Sequence, residues 1–183
     1  MRVLHSVLLA TAFTAISAVS FANNVMVGGQ SMLPTKDIVD NAVNSADHTT
    51  LVAAVQAAGL VDTLKSKGPF TVFAPTNAAF AKLPAGTVEN LVKPENKATL
   101  TKILTYHVVA GTYDFKALSA AITKGMGHAD LATVSGGKLH FSMNGEHNII
   151  VADDSGNVAN ISTYDVYQSN GVINVIDKVM LPK

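Results

Sequence analysis

A change in hydrophobic spacing near residue 130 restricts the possible folds of this chain more than any other feature. Before that point, apolar residues recur at the intervals of amphipathic helices, as in residues 51–58. After it, short apolar runs alternate with turn sequences such as Gly136-Gly137 and Asn144-Gly145, which supply the positive φ that tight hairpins need. Helices followed by a series of strands predict an α+β domain.

Capping and turn residues predict where individual elements begin and end. Asp37 and Thr76 are placed to cap helices at their N-termini, and Gly59 follows a helical stretch where a C-terminal cap is expected. The segment Phe70–Ala74 combines β-branched and aromatic residues and ends at Pro75, which is typical of a strand. Because side chains alternate along a strand, we expect one of its faces to enter the core and the other to meet the helices.

The first 22 residues have the pattern of an export signal rather than of a folded element. One basic residue, Arg2, precedes an apolar run without acidic residues, and the run ends in Ser20-Phe21-Ala22 with small residues where signal peptidase cleaves. We therefore predict a signal peptide over residues 1–22, cleaved after Ala22, and a secreted or periplasmic product. An uncleaved membrane anchor is the alternative, but the run is short and rich in Ala, Ser and Thr.

The remainder of the chain is expected to hold one domain. Residues 23–36 contain Gly28-Gly29 and Pro34 and are expected to be a flexible lead-in, followed by the domain over 37–183. The chain has no Cys, which excludes disulfides, thiolate metal sites and Cys nucleophiles. With 13 basic and 13 acidic side chains it has no electrostatic footprint for nucleic acid, and we expect no membrane span once the signal is cleaved.

Metal-binding patterns are incomplete. His140 and His147 flank a predicted hairpin turn and are able to approach one another across it, but the pair lacks a third ligand for zinc. Residues 153–157 (Asp-Asp-Ser-Gly-Asn) resemble a calcium loop without its spacing or its closing Glu, so a solvated turn is expected there. The sequence predicts no metal ion and no cofactor.

Catalytic patterns are equally incomplete. The segment Ser135-Gly136-Gly137-Lys138 matches S-x-x-K, but the companion motifs of that enzyme class are absent and the segment falls at a Gly-Gly turn. Gly125-Met126-Gly127 lacks the third Gly of a dinucleotide fingerprint. We predict no catalytic residues and no enzyme activity.

Three segments together carry a specific resemblance. They are Gly68–Phe80, Ile103–Val109 and Asn170–Pro182. In this order and spacing they resemble the first motif, the central Tyr-His motif and the second motif of the fasciclin-like domain. The resemblance covers about Ile38 to Pro182, and the chain is similar to bacterial secreted proteins with a single such domain.

The resemblance implies a fold, a function and a set of binding positions. The fold would be a compact wedge, in which several helices pack on a β-sandwich or flattened barrel. The function would be adhesion to cell-surface or matrix proteins or to glycans. Tyr106 and His107 match the Tyr-His motif that is linked to adhesion in the family, and Asp165-Val166 matches an adhesive Asp-Ile pair with Val in place of Ile. Asn174 departs from the family, which often has His there, and this argues against an essential imidazole.

Each of these binding positions also has a structural interpretation. His107 follows a helical stripe and is typical of a buried residue that is hydrogen-bonded internally. Tyr106 has a large apolar body to bury, and Asp165 is suited to end a strand or cap a turn. Tyr164 and Tyr167 flank Asp165, and exposed aromatic residues beside an acid suit a recognition surface. We expect Asp165→Ala to lower adhesion with little loss of stability, and His107→Ala to cost stability.

Two functions from different classes therefore follow. The first is a secreted, non-enzymatic module that binds cell-surface, matrix or envelope partners. The alternative is a carrier or sensor of a small apolar ligand held between the helices and the sheet, because low charge and many aliphatic residues permit an apolar pocket.

Overall fold

A computed structural model describes residues 24–183. A mixed β-sheet forms the centre of the fold. The signal peptide predicted over 1–22 lies outside the described residues. The strands are β1 (Met26–Val27), β2 (Gln30–Ser31), β3 (Phe70–Pro75), β4 (Val108–Ala110), β5 (His128–Ala132), β6 (Lys138–Met143), β7 (Ile149–Ala152), β8 (Val158–Gln168) and β9 (Gly171–Ile176).

Helices fill most of the sequence before β5, as the change in hydrophobic spacing predicts. Short 3₁₀ turns at Ala46–His48 and Pro94–Asn96 lead into α2 and α6 respectively. The α-helices are α1 (Ile38–Ala42), α2 (Thr49–Ala58), α3 (Val61–Lys65), α4 (Asn77–Ala81), α5 (Thr87–Leu91), α6 (Lys97–Tyr106) and α7 (Phe115–Lys124).

Seven of the strands form one sheet that nearly closes on itself. Its order is β4-β3-β9-β8-β7-β6-β5; β3 and β9 run parallel, and the other neighbours run antiparallel. A bridge between Val109 and Thr133 joins the β4 edge to the residue that follows β5. Closure protects both edges of the sheet. The α+β class and the flattened barrel with helices packed on it are thus confirmed.

Two hydrophobic clusters lie on opposite faces of β3. Val72 and Ala74 belong to the cluster shared with the helices, whereas Phe73 belongs to a cluster built from strands β3 to β9 and α7. The Phe73 ring packs against Phe141 with centroids 5.0 Å apart. This alternation is the predicted one, and it places one core inside the barrel and one between the barrel and the helices.

The predicted caps are present. The Asp37 side chain accepts a hydrogen bond from the N–H of Asp40, and the Thr76 side chain accepts one from Ala79. Gly59 ends α2 at φ 72°, a left-handed conformation that favours glycine. The sequence predicts these caps because each cap depends only on residues within one helical turn.

The segment expected to be a flexible lead-in carries a β-hairpin instead. Gly28 and Gly29 occupy the two turn positions at φ 58° and 74°, which is the conformation that a two-residue hairpin turn requires. Val27 and Met32 are only 8% and 4% exposed and belong to the core between helices and barrel. The hairpin therefore shares the core of the residues that follow it.

Among residues 24–183, none of the helices combines the length and the apolar character needed to cross a lipid bilayer.

Candidate functional site

Tyr106 ends α6 and points its ring into the barrel core, where it is fully buried. Its hydroxyl donates to the carbonyl of Lys138 at 2.5 Å and accepts from the N–H of Asp154 at 3.1 Å. Burial raises the pKa of Tyr106 to about 12. Gly137 makes room for the ring, because a Cβ at that position would lie 2.6 Å from a ring carbon. Tyr106 is an internal anchor that joins α6 to the start of β6 and to the turn after β7.

His107 is buried beside Tyr106 and fastens the C-terminal segment. The N–H of Met180 donates to Nε2 at 2.9 Å, so Nε2 must accept and Nδ1 carries the proton that is donated to the Ile103 carbonyl at 2.8 Å. Burial lowers the pKa of His107 to about 4, and the imidazole is therefore neutral near pH 7.

Residues 153–157 form the expected turn, in which Ser155, Gly156 and Asn157 are exposed, but Asp153 is buried. It is only 2% exposed, and its carboxylate accepts four hydrogen bonds from groups in its own turn and from the C-terminal segment. One of these comes from the N–H of Leu181 at 3.0 Å. We call His107 and Asp153, which together hold Met180 and Leu181, the C-terminal clasp. Its members lie far apart in sequence, so no local pattern indicates it.

Asp165 lies on an irregular part of β8. The pairing of β8 with β9 shifts register between Thr163 and Val166, and Asp165 adopts φ 59° within that bulge. Its Oδ1 accepts a hydrogen bond from the N–H of Phe115, the first residue of α7, at 2.6 Å. Burial raises the pKa of Asp165, and the neighbouring Asp114 raises it further. Bulges re-aim side chains, and this one directs a half-buried carboxylate to the N-terminus of α7.

Asp114 and Tyr167 complete a surface around Asp165. Asp114 caps α7 through Oδ1, and its Oδ2 accepts a hydrogen bond from the Tyr167 hydroxyl at 2.9 Å. Tyr167 remains 47% exposed. Burial and the hydrogen bond to Asp114 raise the pKa of Tyr167 to about 12. We call Asp114, Asp165 and Tyr167 the acidic edge. Sequence reasoning found Asp165 and Tyr167 but missed Asp114, which only tertiary structure brings to them.

The residues around the acidic edge are structural. Asn174 is fully buried; its Oδ1 accepts from the N–H of Asp165 at 3.2 Å and its Nδ2 donates to the Tyr113 carbonyl at 3.0 Å. The Tyr164 hydroxyl accepts from the N–H of Ile149 at 2.7 Å, and its ring packs edge-on against Phe115. Asn174, where the family often has His, thus holds the bulge that carries Asp165.

The four residues predicted to bind a partner fall into two places. Tyr106 and His107 lie at the end of α6 beside the C-terminal segment, whereas Asp165 and Val166 lie on β8 at the start of α7. Tyr106, His107 and Val166 are at most 2% exposed. Partner binding by these residues stays a prediction, and burial limits three of them to an indirect part in it.

His140 on β6 lies between the carboxylates of Asp130 on β5 and Asp154 in the turn after β7. Its Nδ1 is 2.8 Å from Asp130 Oδ1, and its Nε2 is 3.2 Å from Asp154 Oδ1. These hydrogen bonds raise the pKa of His140 and lower the pKa of both acids. His147, which the sequence allowed to approach His140 across the hairpin, projects from the turn with 88% of its side chain exposed. Within the described part of the chain, no three His, Asp or Glu residues are arranged to hold a metal ion.

A cavity of about 80 Å³ lies between the helices and the barrel. Its walls are predominantly apolar and include Ile38, Val55, Leu64, Val72, Val108 and Ile173. Ser45 and His48 also line it. This is the place where the sequence suggested an apolar ligand.

The fold and these motifs agree with a comparison to known families. The sequence model of the fasciclin domain family matches residues 46–182, and the chain belongs to the fasciclin family. Fasciclin domains are in general adhesion-related extracellular modules, and the family is in general non-enzymatic.

Individual relatives support the same assignment. The chain is 49% identical to protein sll1483 of Synechocystis over 79% of its own length and 73% of that protein. It is 56% identical to the immunogenic protein MPB70 of Mycobacterium bovis over 38% of its own length and 37% of that protein.

A solved structure of a FAS1 domain pair from the insect cell adhesion molecule fasciclin I shares the fold. It matches with a TM-score of 0.69 at 19% identity, covering 80% of this chain. The chain spans about half of that domain pair (51%).

Proposed function

We propose that this chain is a secreted or periplasmic, non-enzymatic adhesion module that binds proteins or glycans of cell surfaces, matrix or cell envelope. Membership in the fasciclin family supports the class of function. The export signal predicted over residues 1–22 supports the compartment. The observation that carries the proposal is the acidic edge.

The acidic edge has groups left to offer a partner. Asp165 uses Oδ1 for the N–H of Phe115, and no hydrogen bond within residues 24–183 occupies its Oδ2. Tyr167 adds an exposed aromatic face whose hydroxyl is held by Asp114, so its orientation is set in advance. A carboxylate beside a rigid tyrosine suits a partner that presents a guanidinium, an ammonium group or a bound metal ion.

In this proposal, Tyr106, His107 and Val166 support partner binding indirectly, by stabilising the fold. Val166 is buried in the core next to Asp165 and anchors the bulge on which the carboxylate lies. Tyr106 fixes α6 to the start of β6 and to the turn after β7, and His107 fixes it to the C-terminal segment. Substitutions at these positions are therefore expected to reduce adhesion through loss of stability rather than through loss of a contact.

The test is the substitution Asp165→Asn in the secreted protein. Asn tolerates positive φ and keeps an oxygen for the N–H of Phe115, so it removes the charge with little other change. Binding to immobilised cells and matrix preparations should weaken by about tenfold or more, as expected when one charge-assisted contact is lost. The unfolding midpoint should remain near that of the wild type.

The matched control is Glu146→Gln. It also removes one negative charge, from a side chain in the β6–β7 turn that is 94% exposed. Equal binding of the wild type and both variants would show that the acidic edge is not the binding site. Equal weakening by both variants would indicate attraction by net charge alone.

A second candidate function is a carrier or sensor of a small apolar ligand. The cavity between helices and barrel favours it, because its lining is predominantly apolar. Native mass spectrometry of protein purified from its own host would support this candidate through a retained small molecule. A measured mass equal to that of the polypeptide alone in every preparation would count against this candidate.

A further inference from the structure

The chain contains two Asn-Gly pairs, Asn144-Gly145 and Asn170-Gly171, and they lie in different surroundings. In an Asn-Gly pair the backbone nitrogen of the Gly can attack the side-chain amide of the Asn, because Gly has no Cβ to obstruct the approach. The attack requires a side-chain amide that is free to rotate and room for the backbone of the Gly to bend. The fold therefore decides which of the two pairs can react.

Asn144 meets both requirements. It lies with Gly145 in the exposed turn between β6 and β7, where the N–H of Asn144 donates to the carbonyl of Asn148 at 2.7 Å. Among residues 24–183, no hydrogen bond holds the side chain of Asn144 or the N–H of Gly145. Gly145 has φ 82°, and a Cβ built there would meet no atom beyond the adjoining residues within 4 Å.

The side-chain amide of Asn170 is held on both of its ends. Its Oδ1 accepts a hydrogen bond from the N–H of Ile38 at 3.0 Å. Its Nδ2 donates to the carbonyls of Leu64 at 2.7 Å and Ser66 at 3.1 Å. All three hydrogen bonds must break before this side chain can rotate towards the nitrogen of Gly171.

The backbone of Gly171 is confined as well. Gly171 is the first residue of β9 and pairs with Phe70 of β3 on one side and Gln168 of β8 on the other. A Cβ at Gly171 would lie 2.1 Å from the carbonyl oxygen of Phe70, so the neighbouring strand is in close contact with this backbone. Gly171 has no room to bend towards Asn170 while the sheet is intact.

The reaction is an intramolecular acyl transfer followed by hydrolysis. The backbone nitrogen of Gly145 forms a bond to Cγ of Asn144, the Cγ–Nδ2 bond breaks, and Nδ2 leaves as ammonia with the proton of the Gly145 N–H. Water then opens the five-membered imide at one of its two carbonyl carbons, supplying the OH of the new carboxyl group and returning a proton to the nitrogen. Opening at Cγ gives Asp, and opening at the main-chain carbonyl gives isoaspartate.

We propose that Asn144 is a site of spontaneous deamidation in the folded protein and that the fold protects Asn170 from the same reaction. Each event adds one negative charge beside Glu146, and the isoaspartate product adds a carbon atom to the main chain of the turn. Because residues 144–148 are exposed, the product alters the surface of the protein and leaves the core unchanged. The proposal is independent of adhesion through the acidic edge and of a ligand in the apolar cavity.

The experiment incubates the purified wild-type protein in mildly alkaline buffer, one sample folded and one in guanidinium chloride. After removal of the denaturant, digestion at Glu146 places the two Asn-Gly pairs on separate peptides. Mass spectrometry measures the replacement of NH₂ by OH and locates it by peptide fragmentation, and chromatography separates the Asp and isoaspartate products. Incubation ends when half of Asn170 has reacted in the denatured sample, so that the folded sample is read at a time when the reaction is measurable.

The expected rates differ between the two samples. In the denatured protein, Asn144 and Asn170 should react at similar rates, because both precede Gly. In the folded protein, Asn144 should react at least about a hundredfold faster than Asn170, since three hydrogen bonds hold the Asn170 side chain.

Two controls identify the reacting residue. Asn148 is exposed in the same turn but precedes Ile149, whose branched side chain obstructs the attack, so Asn148 should remain unchanged. The variant Asn144→Gln should lose the change in mass, because its longer side chain would have to close a larger ring.

The outcomes bear on both halves of the proposal. Faster reaction of Asn144 than of Asn170 in the folded protein, with similar rates after denaturation, supports it. Equal rates in the folded protein would overturn the protection of Asn170 by the fold. An unreacted Asn144 in the folded protein would show that the turn prevents the attack and would overturn the modification site.

Discussion

Single residues in this chain show how a polar side chain is retained in an apolar core. His107 is neutral because burial lowers its pKa to about 4, and both ring nitrogens are matched to backbone groups. The Tyr-His pair that the family resemblance links to adhesion is thus an internal anchor in this structure. Asp165, half-buried on its bulge, is the predicted binding residue that remains in position to meet a partner.

His107→Ala should destabilise the protein by about 2–4 kcal/mol. The change leaves the N–H of Met180 and the carbonyl of Ile103 without partners and opens a void beside them. Urea unfolding of the two proteins measures the difference. His147→Ala is the control, because its side chain is 88% exposed and should change stability by less than about 0.5 kcal/mol. Equal midpoints for His107→Ala and the wild type would contradict the clasp.

At the scale of elements, much of the secondary structure follows from sequence. The caps at Asp37, Thr76 and Gly59 act within one turn, and the strand at residues 70–75 is delimited by proline and by alternation. The hairpin over residues 26–31 was missed because a Gly-Gly pair suits both a flexible segment and a tight turn. Burial of Val27 and Met32 decides between them, and burial depends on distant helices.

Packing of the N-terminal hairpin can be tested by truncating one side chain. Met32→Ala should cost about 2–5 kcal/mol, because Met32 is 4% exposed within the core between helices and barrel. Met26→Ala removes the same atoms from a neighbouring strand position that is 59% exposed, and it should be nearly neutral. Thermal unfolding of both variants gives the comparison. Similar midpoints would mean that the hairpin does not pack on the core in solution.

His140 links β5, β6 and the turn after β7 in a pH-dependent way. Its pKa is raised, so its stabilising contribution is complete below about pH 6.5 and is lost as pH rises through the folded-state value. The pKa values of Asp130 and Asp154 are lowered, so their contribution is present above about pH 4 and is lost below it. The three-residue bridge is therefore strongest between those limits.

The variant His140→Gln should lower the unfolding midpoint at pH 5.5 and have a smaller effect at pH 8.5. Subtracting each variant's midpoint from the wild-type value at the same pH removes the contribution of His107, which titrates in both proteins. His147→Gln serves as the exposed control. A difference that is constant between the two pH values would show that the bridge contributes nothing through its charge.

At the scale of the whole molecule, long-range contacts create every candidate site. Asp114 and Asp165 meet only because α7 begins beside the β8 bulge, and 50 residues separate the Asp165 carboxylate from the Phe115 N–H in the chain. Asp153 and Leu181 meet through the C-terminal clasp. The family resemblance predicted the fold. Sequence patterns within a single helix or strand do not predict which distant loops the barrel brings together. For the same reason Asp114 did not stand out in the sequence.

Adhesion through a folded surface is the central claim, and a binding isotherm tests it most directly. The folded wild-type protein, its heat-unfolded form and the Asp114→Asn plus Asp165→Asn double variant are applied to immobilised cells and matrix preparations. We predict saturable binding by the folded wild type, little by the unfolded form, and at least about tenfold weaker binding by the double variant at a similar unfolding midpoint. Binding that is equal for all three samples, or absent from every surface, would contradict the account.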